Sequence, residues 1–348
     1  MSTNVLMSKH PAQNDVAVLL IIFTRTETLR RTFAVIRQAR PSRLFIYQDG
    51  PRNDDDARKL EAARQVVADS EIDWECDVRR SYHTENSGAW ASNWQAQRWA
   101  FSLADKCIVI EDDSTPSPSF IPFCREMLDR YEHDQRITMI AGFNHEEVTD
   151  APYDYLFTTV FSIWGWASWR RVMDQCDPDY SLLDDPFNLH QLEASVNNRH
   201  EGGAEMLRKM SKHKASGNQI YETLIWSACV LNSGLTIVPT RNLIQNTAVS
   251  EESAHFQSSL KTLPHAMQRL LTLPVHELQF PLRHPRYVIE NVEYKHRVYR
   301  IMAWGHPWVK AARSLEELYR NLRYGNFRQI KAALLHRIKK LTGHYDYQ

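Results

Sequence analysis

Apolar residues run unbroken from Val16 through Phe23, Val-Ala-Val-Leu-Leu-Ile-Ile-Phe, a β-rich stretch that suits a strand covered on both faces of a parallel sheet. From Thr26 the period becomes helical, with Thr26 or Thr28 placed to cap the helix. Residues 43–48 read as a second short strand ending at Asp49-Gly50-Pro51, a turn signature. The charged, Ala-rich stretch 54–68 predicts a helix, followed by a strand around 74–80, a loop at Asn86-Ser87-Gly88, a helix over 91–104 and a strand over 106–110. This alternation predicts an α/β, doubly wound and mostly parallel sheet, whose ligands sit beyond the carboxyl ends of the strands. After Phe120 the pattern loosens into a helix to about 133, a strand over 137–142, an aromatic segment over 153–169 and helices through 214. A further helix over 218–232 leads to a strand over 235–239, and from Lys261 Pro, His, Arg and aromatics dominate. The expected division is a loose arm over 1–15, an α/β domain over 16–260 and a basic, largely helical C-terminal extension over 261–348.

Lys plus Arg equals Asp plus Glu at 42 each, so no global field argues for nucleic acid or for an acidic partner, and charge-driven binding must be regional. The five Cys are scattered, with no C-x-x-C pair, which fits reduced thiols and a cytoplasmic setting better than a disulfide framework or a zinc site. The apolar run 16–23 is shorter than a signal h-region with its flanks, and far shorter than the roughly 20 residues of a membrane span. Neither a signal peptide nor a transmembrane helix is expected.

The sharpest chemical feature is Glu111-Asp112-Asp113, directly after the apolar strand 106–110. Adjacent carboxylates repel unless a cation or hydrogen-bond donors compensate them. A hard divalent ion such as Mn²⁺ or Mg²⁺ would do so, held by one or two carboxylates while a diphosphate fills other positions. The other explanation is an acidic turn in water, with Ser114 and Thr115 opening the next helix. Asp49 ends an earlier strand and shares the rim, as a ligand or as part of its Asp-Gly-Pro turn. Arg25, just past the first strand, could face a uracil or a phosphate, or be a surface arginine.

In order and spacing, Phe23-Thr-Arg-Thr-Glu-Thr-Leu-Arg-Arg31, Ile46-Tyr-Gln-Asp-Gly50 and Val109-Ile-Glu-Asp-Asp113 resemble the nucleotide-sugar domain of GT-A glycosyltransferases. The likeness is to the N-acetylglucosaminyltransferase I type and its bacterial relatives, over roughly 16–256. The resemblance implies a GT-A fold and a UDP-sugar donor, with Asp113 as the Mn²⁺ (or Mg²⁺) ligand and Glu111 and Asp112 on the sugar and ribose. It places Phe23, Arg25 and Asp49 at the nucleotide, and Asn86 in a nucleotide-proximal N-x-G loop. The segment Phe161-Ser-Ile-Trp-Gly-Trp-Ala-Ser-Trp169 also looks like the relatives. Its tryptophans either stack on a sugar ring or fill the core, and Gly165 points to a turn that presents one of them, Trp166, to the cleft. Ser253-Ala-His-Phe256 is similar to an A-x-H element and implies His255 as a second metal ligand.

Glu222 falls about where the family carries its acidic base, although Tyr-Glu stands here where the relatives have Trp-Asp. A Glu that simply favours a helix N-terminus accounts for the same residue, and Asp184 and Asp185 are further acids that could serve. The implied reaction is inverting transfer of a hexosyl or N-acetylhexosaminyl unit to a hydroxyl of a glycan or lipid-linked saccharide. Competing readings are a sugar-phosphate nucleotidyltransferase, disfavoured by the lack of a Gly-rich basic loop after the first strand, and a non-catalytic peripheral membrane protein. The latter would rest on the tail. There Phe327, Ile330, Leu334, Ile338 and Leu341 recur at helical spacing among basic residues, with no acid between Glu317 and Asp346. Such a helix, spanning 323–341, either lies on an anionic membrane, here the cytoplasmic face of the inner membrane, or packs on the catalytic domain.

Overall fold

The computed structural model describes residues 9–199, 203–247 and 260–341. Strand β1 (Asn14–Ile22) is buried at every position from Val16 onward, as a central strand must be. It lies between β2 (Pro41–Gln48) and β4 (Lys106–Glu111), parallel to both, and β3 (Asp77–Tyr82) extends the sheet beyond β2, also in parallel. Beyond β4 come β8 (Trp166–Trp169), β6 (Ile137–Ala141), β9 (Leu235–Pro239) and β7 (Tyr155–Thr158), completing eight strands in the order β3-β2-β1-β4-β8-β6-β9-β7. Only β8 and β7 run against the rest. The register then fixes the site. Ile22 pairs with Gln48 and Ile21 with Glu111, so Phe23, Asp49 and Asp112-Asp113 all emerge at one carboxyl edge.

Helices α1 (Thr26–Ala39), α2 (Asp54–Val66), α3 (Ala89–Leu103) and α4 (Phe120–Arg130) cover the sheet, followed by the short α5 (Arg170–Met173). The later helices are α6 (Pro186–Arg199), α7 (Gly203–Ser216), α8 (Tyr221–Leu231), α9 (His265–Leu271), α10 (Val292–Met302), α11 (Pro307–Arg323) and α12 (Phe327–Leu341). Two local expectations change. Neither Thr26 nor Thr28 caps α1: Arg25 holds the N-cap position, and the Thr28 hydroxyl donates back to the Arg25 carbonyl at 3.3 Å. Ser114 and Thr115 do not open a helix either. They form β5 (Ser114–Pro116), paired antiparallel with β10 (Ile244–Asn246), because a partner strand from far along the chain satisfies their backbone.

The chain divides into two compact units that interleave in sequence. The sheet unit comprises Met1–Asp179, Gln219–Asn246 and Pro274–Asn291; the other comprises Tyr180–Asn218, Thr247–Leu273 and Val292–Gln348. Residues 274–291 return to the sheet unit through specific bonds: Arg283 Nη2 donates to Asp154 Oδ1 at 2.7 Å, Leu278 N to Ser119 Oγ at 3.0 Å and Asn291 N to the Phe157 carbonyl at 2.7 Å.

His145, just beyond β6, is buried edge-on against Phe143, and its Nδ1 has no hydrogen-bond partner. Burial pushes its pKa down to about 4, against about 6.5 for an exposed imidazole. The folded state binds fewer protons than the unfolded one between these values, so the neutral ring's contribution is complete above pH 6.5 and is lost as pH falls toward 4. A His145→Phe variant is expected to lose this acid sensitivity, recovering up to about 3 kcal/mol relative to wild type at pH 4. Chemical unfolding across pH 4 to 7 measures it, and parallel profiles for the two proteins would refute it.

Candidate active site

The acidic triplet closes β4, and its backbone is tied to the neighbouring strand by Asp112 N donating to the Ile21 carbonyl at 2.9 Å. Asp112 is buried and faces the end of β1: Oδ2 accepts from Phe23 N at 2.7 Å and Oδ1 from Arg25 Nη1 at 2.8 Å. The same Nη1 lies 3.1 Å from Asp113 Oδ2, so one guanidinium spans two carboxylates. Arg25 Nε, buried beside them, has no hydrogen-bond partner. Burial works against the charge on Arg25, yet Asp112 and Asp113 outweigh it and raise its pKa. Burial raises Asp112 as well, more than Arg25 lowers it.

Glu111 turns the other way, toward α3 and α8. Its Oε1 accepts from the Tyr221 hydroxyl at 3.2 Å and its Oε2 from Asn93 Nδ2 at 3.5 Å. Burial of the carboxyl, then the charges of Asp113 and Asp112, push it up to about 8. Tyr221 is itself driven well above its usual range by burial and then by Glu111 and Glu222. Glu222 follows Tyr221 in the first turn of α8.

Asp49 serves the neighbouring loop. Its Oδ1 accepts from Gly50 N and Ser87 N, each at 3.0 Å, and its Oδ2 from Asn86 Nδ2 at 3.0 Å and Gly88 N at 3.1 Å. Asn86 Nδ2 also donates to the Gly50 carbonyl at 2.8 Å. The loop crosses β2's end so closely that a Cβ on Gly50 would stand 2.3 Å from the Glu85 carbonyl carbon, so only glycine fits. Gly88, at φ 82°, then turns the chain into α3.

The structure thus brings Phe23, Arg25, Asp49, Asn86, Glu111, Asp112 and Asp113 to one edge of the sheet unit, and Glu222 belongs to the same unit, next to Tyr221. Trp166 does not join them. It is 1% exposed, paired in β8 with Val109 of β4 and stacked on Phe101 at 6.3 Å, a core residue with no face open to a sugar. The expectation fails because Gly165 precedes a strand, not an exposed turn; Trp169 is buried too, and Trp164 packs edge-on to Phe143 at 4.7 Å. His255 lies outside the described residues. Asp184 and Asp185 belong to the other unit, where Asp184 pairs with Lys214 and Asp185 Oδ1 accepts from Asn188 N. Sequence reading missed Asn93 and Tyr221. Tyr221 adjoins Glu222, but nothing in the helical period distinguishes a residue that reaches across to β4.

No protein-family model and no curated protein matches the chain. Solved structures resemble it weakly. A mannosyltransferase from Pyrobaculum calidifontis, in complex with GDP-Man and Mn²⁺, shares 12% identity at a TM-score of 0.32 over 49% of this chain and 48% of its own. Mouse xyloside xylosyltransferase 1, in its apo form, shares 16% at 0.31 over 53% and 77% respectively. A UDP-glucose pyrophosphorylase complexed with UDP-glucose shares 10% at 0.27 over 47% and 81%. The chain therefore spans about half the length of the mannosyltransferase. These neighbours are glycosyltransferases and nucleotidyltransferases, and likeness at this level assigns no substrate.

Proposed function

We propose that the chain is a GT-A glycosyltransferase that transfers a sugar from a UDP-sugar to an acceptor hydroxyl with inversion, aided by Mn²⁺ or Mg²⁺. The observation that carries this reading is the triplet at the carboxyl edge of a doubly wound sheet, beside the end of β1, where such sheets receive ligands. The donor set fits a cation of one kind only. Among the described residues no three His, Cys, Asp or Glu side chains converge on a point, which does not suit a metal caged by protein alone. A hard carboxylate such as that of Asp113, in a triplet of three acids that share one guanidinium, suits a cation that takes its remaining ligands from a diphosphate and water. When bound, that cation supplies charge neutralisation on the leaving diphosphate.

The chain's own groups do the rest. Arg25 holds Asp112 and Asp113 in register and stands toward the nucleotide phosphates or uracil, with Phe23 beside it. Asp49 contributes through the Asn86-Ser87-Gly88 loop that it pins, placing that loop at the nucleotide. Glu222 takes the proton of the acceptor hydroxyl as its oxygen attacks the anomeric carbon, and a single in-line displacement inverts that centre. The sugar-phosphate nucleotidyltransferase reading lacks its clamp, since Phe23-Thr-Arg-Thr26 after β1 contains no glycine to bring backbone against a triphosphate.

Titration calorimetry of UDP with and without Mn²⁺ tests the reading. Wild type is expected to bind UDP more tightly with Mn²⁺, and Asp113→Ala to lose about tenfold or more of that metal-dependent affinity. Equal binding by the two proteins would remove the basis for an enzyme of this kind. Release of UDP from UDP-sugars, as against pyrophosphate from UTP and a sugar phosphate, separates the two transferase classes.

A further inference from the structure

Helix α11 leaves an apolar row exposed, whereas an ordinary surface helix turns its apolar stripe inward. At 3.6 residues per turn Trp308, Leu315, Tyr319 and Leu322 fall in one row, and they are 86%, 69%, 59% and 50% exposed. The polar residues divide: Lys310 and Arg323 are exposed, while Asn321 is covered. Asn321 is buried, donating to the Glu317 carbonyl at 2.8 Å and accepting from Asn326 Nδ2 at 2.8 Å. Glu316 Oε1 accepts from His265 N and from Arg320 Nε, each at 2.9 Å, so this acid is engaged within its own unit. After a turn at Gly325, α12 adds Phe327, Leu334 and Leu335, all exposed, among exposed Arg328 and Lys331. So many large apolar side chains exposed on two successive helices mark a contact with something.

Charge decides with what. The chain as a whole is neutral, yet from Arg323 to Leu341 it carries Arg323, Arg328, Lys331, Arg337, Lys339 and Lys340 and no acid. Glu317, the other acid of α11, lies on the helix side opposite the exposed row. A second copy of the chain would bring the same cations against these and repel them. A bilayer with anionic headgroups accepts both features at once: apolar side chains enter the headgroup boundary, Trp and Tyr favour that depth, and cations meet the phosphates. We propose that the outward row of α11 and the exposed apolar residues of α12 dock in the plane of an anionic lipid surface. Among the described residues no helix is long and apolar enough to cross a membrane, so the contact is peripheral.

The test uses the full chain and sedimentation with vesicles of phosphatidylcholine alone or mixed with phosphatidylglycerol. Binding is expected only to the mixed vesicles and is expected to weaken as salt rises. Leu315→Glu with Leu322→Glu is expected to lower the partition coefficient about tenfold or more. Arg328→Glu with Lys331→Glu should lower it by about fivefold or more per cation replaced. Circular dichroism and the unfolding temperature check each variant; should the leucine pair misfold, the Arg328 and Lys331 pair decides. Failure of wild type to bind anionic vesicles, or equal binding by a folded variant, overturns the proposal. So does a dimer, seen by light scattering, that the leucine pair dissolves while vesicle binding is absent.

Discussion

Replacing Glu222 by Gln is expected to lower turnover of a UDP-sugar donor by about 10²–10⁴-fold, the range a positioned general base contributes. The substitution keeps shape and hydrogen-bonding reach while removing the group that can take a proton. Glu222 lies in the first turn of α8 next to Tyr221, whose hydroxyl bonds Glu111, whereas Asp112 is held by Phe23 and Arg25. Nucleotide affinity should therefore survive, because the contacts of Asp112 with Phe23 and Arg25 are untouched. Initial rates and UDP binding on the same preparation separate the effects. Loss of both would point to collapse of the site, and unchanged turnover would eliminate Glu222 as the base.

The central strands were legible in sequence because burial on both faces leaves a continuous apolar run, as from Val16 to Ile22 and from Cys107 to Ile110. Their carboxyl ends were legible too, since polar residues end each run abruptly. From that alone Asp49 and the triplet fall on one rim, and the register agrees. What was not legible depends on partners distant in sequence. Ser114–Pro116 is a strand only because Ile244–Asn246 lies against it. Trp166 reads alike as a sugar platform or a core ring until Phe101 and Val109 are placed beside it. Asp49 shows why a site residue can be located without its task being known: its position follows from β2, whereas its bonds to Ser87 and Gly88 depend on where a later loop crosses. The exposed apolar row of α11 was missed for a related reason. Periodicity reveals that a stripe exists but not which side the rest of the molecule covers.

Arg25→Ala is expected to destabilise the metal-free protein by about 3–5 kcal/mol, the cost of leaving a buried charge without its partner. Arg25 Nη1 spans Asp112 and Asp113 in a setting where all three side chains are at least largely buried. The two partners respond differently to this burial. The guanidinium is held more firmly charged, whereas the Asp112 carboxyl moves up because desolvation outweighs what Arg25 returns. An ion pair of that kind adds little against an apolar core of equal volume, yet removing one member alone is expensive. The distinction makes the expectation testable by a double-mutant cycle. Asp112→Asn removes the stranded charge while retaining an oxygen for Phe23 N, so Arg25→Ala with Asp112→Asn should recover a substantial part of the loss. Urea unfolding of the four proteins at neutral pH gives the coupling directly. A loss below about 1 kcal/mol for Arg25→Ala would place the pair among solvent-screened surface bridges and contradict the burial on which its role rests.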